Sequence, residues 1–403
     1  MARTSSPLDR SQDTIIVGAG IAGLACARRL HDAGRSFVII SENVGGRIQR
    51  SRDEAVNLGA YYVRADYTHV NQYVRLGRRL DRIAVQRHEG ANTYTYWDPR
   101  LLLHLPQAAR FLRLLRQFRR HYEGLKKRCL TTGQAAAIRS DPLLLRLHQQ
   151  PAQEFIDECR LGEFARCYLA PGLHGTTFTS LNGISAFMLL LGALPVLVPA
   201  YEFTFQLDRL TDGFAASVAA DTVCGISRHE GGYRVDTRIH GTLTADRVVI
   251  ATPTDVGRRL LGLPAVKRAV AAHMFQVAGA LRDPYNKADL HLFAETDPTL
   301  AIAQQAGGSV LFCSQHPHPD FDRYFTRWRV VEHKHWNPGF PLPGNDLMEC
   351  EQGKNLYLIG DHNIVGLEDA YLTGLYAANQ IVASTADAGP EIKQQRPLQS
   401  QRG

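Results

Sequence analysis

The sequence predicts an α/β fold, and three observations carry that expectation. Residues 14–34 read TIIVGAGIAGLACARRLHDAG: a short apolar run, glycines spaced G-x-G-x-x-G, then a helical stretch. A second apolar run, SFVII at 36–40, follows Gly34, and Glu42 stands just past its end. Far along the chain, RVVIATPT at 247–254 reads as another buried strand closing in a turn. Strand, turn, helix, strand and acid in this order make a Rossmann-like unit, and runs of β-branched residues without alternation suit strands buried on both faces of a parallel sheet.

Each element has its own reason. Gly18 permits the tight turn after the first strand, Gly20 lets backbone approach a pyrophosphate, and Gly23 lets the following helix pack close to the strand. Ala27, one helical turn after Gly23, is small on the same face. Ile21 and Ala22 open that helix, whose free N–H groups and positive dipole end favour phosphate. A carboxylate at Glu42 accepts hydrogen bonds from ribose hydroxyls and repels a 2′-phosphate, which disfavours NADP. The motif by itself does not separate NAD from FAD.

The totals set bounds. The chain has 403 residues, 44% of them hydrophobic and 21% charged, enough for a large core in two structural regions and too ordered a composition for a fibrous or disordered chain. A net charge of +7 and a pI near 9.1 favour an anionic ligand or surface. Seven scattered cysteines without a C-x-x-C pair suit a reducing cytoplasm, and residues 1–12 read as a loose polar leader without a signal peptide's apolar stretch. Residues 167–201 lack Lys, Arg, Asp and Glu, but their prolines and glycines oppose a single spanning helix and suggest buried wall. Residues 100–128 form a basic amphipathic helix interrupted at Pro106. One face packs on the core, and the basic face offers peripheral contact with an anionic membrane or a carrier protein. Cys313, His316 and His318 have metal-like spacing in a Pro-rich loop, but four converging ligands are not in view, so no metal is expected. Nothing points to nucleic acid.

Beyond Glu42 come GGR at 45–47 and NLGA at 57–60, and near the other end NLYLIGDHNIVGLEDAYLTGLYAANQIVA at 355–383. Together with the opening stretch these resemble the flavin-containing amine oxidoreductase superfamily of amine oxidases, protoporphyrinogen oxidases and carotenoid desaturases. The resemblance covers roughly residues 13–65, 203–262 and 328–385. It implies a Rossmann-like FAD-binding domain of the glutathione reductase type, discontinuous over 13–65, 203–265 and 345–385. An α+β substrate domain is inserted at 66–202 and 266–344, and the termini at 1–12 and 386–403 are expected to be flexible. It implies noncovalent FAD, since no cysteine stands where some relatives attach the flavin. Gly46 and Arg47 would meet the pyrophosphate, Gly59 and Ala60 would run past the flavin ring, and Val223 would lie against adenine. Gly360 and Asp361 would bind the ribityl chain, while Gly366 and Leu367 open a helix whose N-terminus faces the reduced flavin.

The substrate half departs from the family pattern. Residues 67–206 are expected to be mostly helical, with strands added by 267–340. The lysine that amine oxidases often place on the strand facing flavin N5 is replaced by Gln276. Of the two aromatic rings that often flank the flavin, one position is Leu367, and only Trp336, beside Asn337, keeps a ring. Tyr371, His335 and His362 are further candidates for the substrate side. The resemblance therefore implies an FAD-dependent oxidase or dehydrogenase moving hydride from a C–N or C–C bond of a small, largely apolar, cyclic amine-type substrate. Oxygen or another acceptor would reoxidise the flavin. A flavin-dependent isomerase or mutase, and a flavin-bound non-catalytic partner protein, are the alternatives.

Overall fold

The computed structural model describes residues 10–96, 98–264, 269–305, 307–341 and 346–386. Among the described residues, three sheets and a helical layer are wound around a long cleft. The largest sheet has eight strands, its main path running Glu351–Gly353, Leu356–Leu358, Thr242–Ile250, Ser11–Ala19, Val38–Val44, Val218–Ala219. The central pairs are parallel, with Ile15 facing Val38 on one side and Val248 on the other. Ile15 and Ile16 are wholly buried, as a strand covered on both faces requires. Ser11 and Gln12 already pair with Thr244 and Ala245, so the sheet takes in two residues that the sequence assigned to the leader. Residues 1–9 and 387–403 lie outside the described residues.

The helix Ile21–Asp32 covers one face of this sheet and packs against the closing helix Leu367–Ala386. Their contact is close because both present small residues. A Cβ on Gly374 would overlap the Ala22 carbonyl and come within 3.0 Å of the Ala25 side chain.

A seven-stranded sheet forms the other wall, in the order Phe325–Pro341, Ala269–Leu281, Ser309–Ser314, Thr299–Gln304, Leu290–Phe293, Val85–Glu89, Asn92–Thr95. A small third sheet joins Val63–Arg64, Ala200–Phe205 and Val74–Arg79. The segment 67–206 is thus less helical than its sequence suggested. Helices dominate only from Leu105 to Gly192, while 74–79, 85–89, 92–95 and 200–205 are strands. The pair Val85–Glu89 and Asn92–Thr95 is a hairpin, turned by Gly90 at φ +59° and Ala91. That positive φ is what a two-residue hairpin turn demands, so local turn chemistry outweighs the helical surroundings.

Pro106 does not interrupt the basic helix. It sits in the first turn of Leu105–Thr132, after a 3-10 turn at Pro99–His104, where its missing N–H costs nothing. Phe111, Leu115, Phe118, Tyr122, Leu125 and Cys129 form the buried stripe. Arg110, Arg113, Arg116 and Arg120 are exposed. The stretch 167–201 is indeed largely interior, in short helices Ala170–Thr177 and Ala186–Gly192. Among the described residues no helix is long and apolar enough to cross a membrane, and no cysteine is in a disulfide.

Candidate active site

One cavity of about 810 Å³ runs between the glycine turn and the N-terminal end of the closing helix, then on between the seven-stranded sheet and the helical layer. Gly18, at φ +106°, lets the chain leave the first strand beside Ala251, whose carbonyl oxygen would lie 2.7 Å from a Cβ there. Gly20 begins the helix with no side-chain cap, and a Cβ on it would meet nothing within 4 Å. The helix end is therefore left open toward the cavity, with Ile21 and Ala22 at its rim. Gly23 does not border the cavity. Its Cβ would overlap the Gly18 carbonyl and lie 3.2 Å from the Ala251 side chain, so its role is helix–strand packing.

A second loop leans on the first, since a Cβ on Gly46 would come within 3.0 Å of the Gly20 Cα. From that loop the Arg47 guanidinium forms an ion pair with the buried Asp361 carboxylate, which follows the strand Leu356–Leu358. Glu42 borders the cavity inside the strand Val38–Val44, which runs two residues beyond it, and accepts a hydrogen bond from the Thr222 hydroxyl beside Val223. Gly59 and Ala60 also line it. The missing side chain of Gly59 serves chain crossing, because a Cβ would overlap the Arg47 carbonyl. Gly360, Gly366 and Leu367 complete the wall at the closing helix.

That helix is anchored by two acids in its first turn. Glu368, with no exposed surface, accepts hydrogen bonds from the Thr68, His69 and Val70 backbone N–H groups at 2.9–3.0 Å, from the Thr68 hydroxyl at 3.0 Å and from His69 Nδ1 at 2.8 Å. Burial works against its charge, yet these donors hold its carboxyl below the ordinary range. Asp369 has fewer partners. Burial pushes its pKa up to about 6, against the pull of the Arg64 guanidinium and the Tyr122 hydroxyl, which donates at 2.9 Å. Arg64 itself borders the cavity, buried over the rings of Tyr67 and Tyr122 and bonded to Asp66 at 3.0 Å.

Beyond the closing helix the cavity turns apolar, walled by Phe178, Met188, Leu191, Met274, Leu311 and Phe340 among others. Trp336 is part of this wall, and its indole N–H donates to the Leu58 carbonyl. Three expected residues, Gln276, Tyr371 and His362, lie elsewhere. Gln276 shares a strand face with Met274 but sits one pleat beyond the cavity, where its amide donates to Asp53 at 2.7 Å and to Ser309 at 3.3 Å. Among the described residues of that strand, Met274 borders the cavity. Tyr371 points away from the cavity and stacks between His69 and Tyr73. His335 borders the cavity but is exposed, and His362 is buried on Ile359. Tyr61, Arg64 and Lys334 are cavity residues that the sequence did not single out. Among the described residues no group of His, Cys, Asp and Glu is placed to hold a metal ion.

These features fit an adenine dinucleotide. The open space at Gly20, the bare helix end and Arg47 suit a pyrophosphate, and Glu42 suits a ribose. The cavity continues beyond the nucleotide part to the closing helix, as a flavin dinucleotide needs.

Fold and cleft together define a class, the dinucleotide-binding proteins with the architecture of flavin-containing amine oxidases, and the resemblance read from the sequence motifs stands. A family model of the NAD(P)-binding Rossmann-like domain matches residues 16–75. The flavin-containing amine oxidase B of Mus musculus is 33% identical over 102 residues, covering 24% of this chain and 17% of that protein. The L-amino-acid oxidase of Siganus canaliculatus is 32% identical over 96 residues, 22% of this chain and 18% of that one. The chain therefore matches less than a fifth of the length of these relatives. Among solved structures, putrescine oxidase bound to putrescine aligns with a TM-score of 0.63 and 14% identity over 93% of this chain and 99% of that one. Cyclohexylamine oxidase from Brevibacterium oxydans aligns at 0.62 and 15% identity, over 94% and 99%.

Proposed function

We propose that this chain is an FAD-dependent oxidoreductase that oxidises the C–N bond of a small, largely apolar amine, with oxygen or another acceptor taking the electrons in turn. The observation that carries this reading is the continuity of the cavity from the Gly20 helix end, past Arg47 and Asp361, to an apolar chamber beyond the closing helix. FAD, held noncovalently, supplies the two-electron acceptor. The residues of this chain bind and orient. Gly18, Gly20, Gly46 and Arg47 take the pyrophosphate, Glu42 and Val223 the adenosine end, and Gly360 and Asp361 the linking chain. Apolar walls exclude water and favour the neutral form of an amine, the form from which hydride can leave. The names of the structural neighbours, putrescine oxidase and cyclohexylamine oxidase, favour amines over C–C oxidation.

The test is anaerobic. Purified holoprotein is mixed with cyclohexylamine, piperidine, 3-methylbutylamine and apolar amino acids while the yellow colour is followed. Bleaching by one of these supports the reading. Persistent colour with product formation would replace it by isomerase or mutase chemistry, and neither response by a non-catalytic flavin protein.

For partners, we propose peripheral contact with an anionic membrane surface. Leu102, Leu103 and Leu105 are 67%, 75% and 51% exposed, and Arg100, Arg110 and Arg113 are exposed around them. Such an apolar tip within cations is the pattern of interfacial anchors.

A further inference from the structure

Asp369 is a buried acid in the first turn of the closing helix. Its two oxygens accept from the Tyr122 hydroxyl at 3.0 and 2.9 Å, and among the described residues no ion pair joins it to a cation. The carboxylate curls back over the helix start, where a Cβ on Gly366 would lie 2.5 Å from Asp369 Oδ2. Gly366, Leu367 and Ala370 border the cavity, so the carboxylate lies one layer behind that wall.

The charges around it are largely spoken for. Residues 64–67 present Arg64, Asp66 and Tyr67, the long helix presents Tyr122, Lys126 and Cys129, and the closing helix itself presents Glu368. Asp66 already holds both cations, Arg64 at 3.0 Å and Lys126 at 3.6 Å. Glu123 meets Lys126 from the solvent side at 3.1 Å, and Glu368 is engaged in the 68–70 clamp. Asp369 is left with one hydroxyl, and burial pushes its pKa up to about 6. A carboxyl so placed is close to balance between its two forms near neutral pH.

Hydride brings two electrons and one proton. With a flavin against the closing helix, its transfer therefore adds one negative charge across the Gly366 backbone from Asp369. Like charges repel strongly in a low dielectric, which raises the proton affinity of the carboxylate further. A proton taken from water relieves the repulsion.

We propose that Asp369 is a redox-linked proton site, which binds one proton when the cleft gains the charge of a transferred hydride and releases it when the electrons leave. The proposal rests on FAD occupying the cleft, and not on the identity of the substrate.

The test measures the flavin midpoint potential of the holoprotein between about pH 5 and pH 9, with dye mediators and no amine. Each proton bound with two electrons shifts the equilibrium tenfold per pH unit, about 30 mV. Wild type is expected to show a one-proton slope below about pH 6 and a two-proton slope above it. Asp369→Asn keeps the one-proton slope throughout. Tyr122→Phe removes the donor that favours the carboxylate, and moves the break upward by about one pH unit. Infrared difference spectra above pH 6 should show a protonated-carboxyl band on reduction in wild type and not in Asp369→Asn. Equal slopes in wild type and Asp369→Asn overturn the proposal and leave the cofactor reading intact. So does a two-proton slope at low pH that survives in Asp369→Asn, which places the proton on the flavin itself. A protein that takes up no FAD removes both readings.

Discussion

Gly20 and Gly23 stand three residues apart in one motif and do different work. A methyl on Gly20 would enter open cavity, whereas one on Gly23 would overlap the Gly18 carbonyl. The variant Gly20→Ala is therefore expected to melt like wild type when both are stripped of flavin, yet to be purified with much less bound flavin. Gly23→Ala is expected to lose stability by about 1–3 kcal/mol or more from overpacking. Absorbance per chain and a melting curve check both, and equal melting losses in the two variants would contradict the division of roles. These positions were legible in the sequence because a turn, a phosphate approach and a helix contact each demand glycine locally. Lys334 was not. The lysine position of the family falls on the strand of Gln276, but cavity-facing side chains also come from its hydrogen-bonded neighbour, whose register no local pattern reveals. Gln276 itself has the right parity and the wrong pleat, a distinction set by where the wall ends and Asp53 begins.

The closing helix shows how an element is held in place. Its Glu368 clamps the segment 68–70 with a full set of donors, while Asp369 one residue on is buried at a cost. Because folding raises the Asp369 pKa from 3.8 to about 6, the folded state binds that proton more tightly than the unfolded chain. The resulting stabilisation is complete below about pH 3.8 and is lost as the pH rises through 6. Asp369→Asn, which cannot ionise, is thus expected to gain about 1–3 kcal/mol relative to wild type between pH 4 and pH 8. Denaturant melts at several pH values check this, and a pH-independent difference would contradict it. The helix was readable from LEDAYLTGLYAANQ, but the clamp was not, since it joins residues 300 positions apart. The hairpin at 85–95 has its local signal in Glu89-Gly90-Ala91-Asn92, where glycine supplies the positive φ of a two-residue turn.

At the scale of the molecule, two surfaces follow from the fold. The exposed leucine tip and basic face near the start of the long helix give an expectation for lipid. The holoprotein should sediment with phosphatidylserine vesicles and not with neutral phosphatidylcholine ones, and Leu102→Ser with Leu103→Ser should release it. Failure to sediment with either would rule out membrane contact through this tip. The cleft is the other surface, assembled from strands and helices at both ends of the chain, which the spacing of the glycine motifs foretold and the apolar chamber extends. Its purpose is tested most directly by denaturing the purified yellow protein with heat and identifying the released nucleotide by mass spectrometry. One FAD per chain, freed without proteolysis, is the expected result. Release of a nicotinamide dinucleotide, or a colourless protein that stays empty after incubation with FAD, would contradict it.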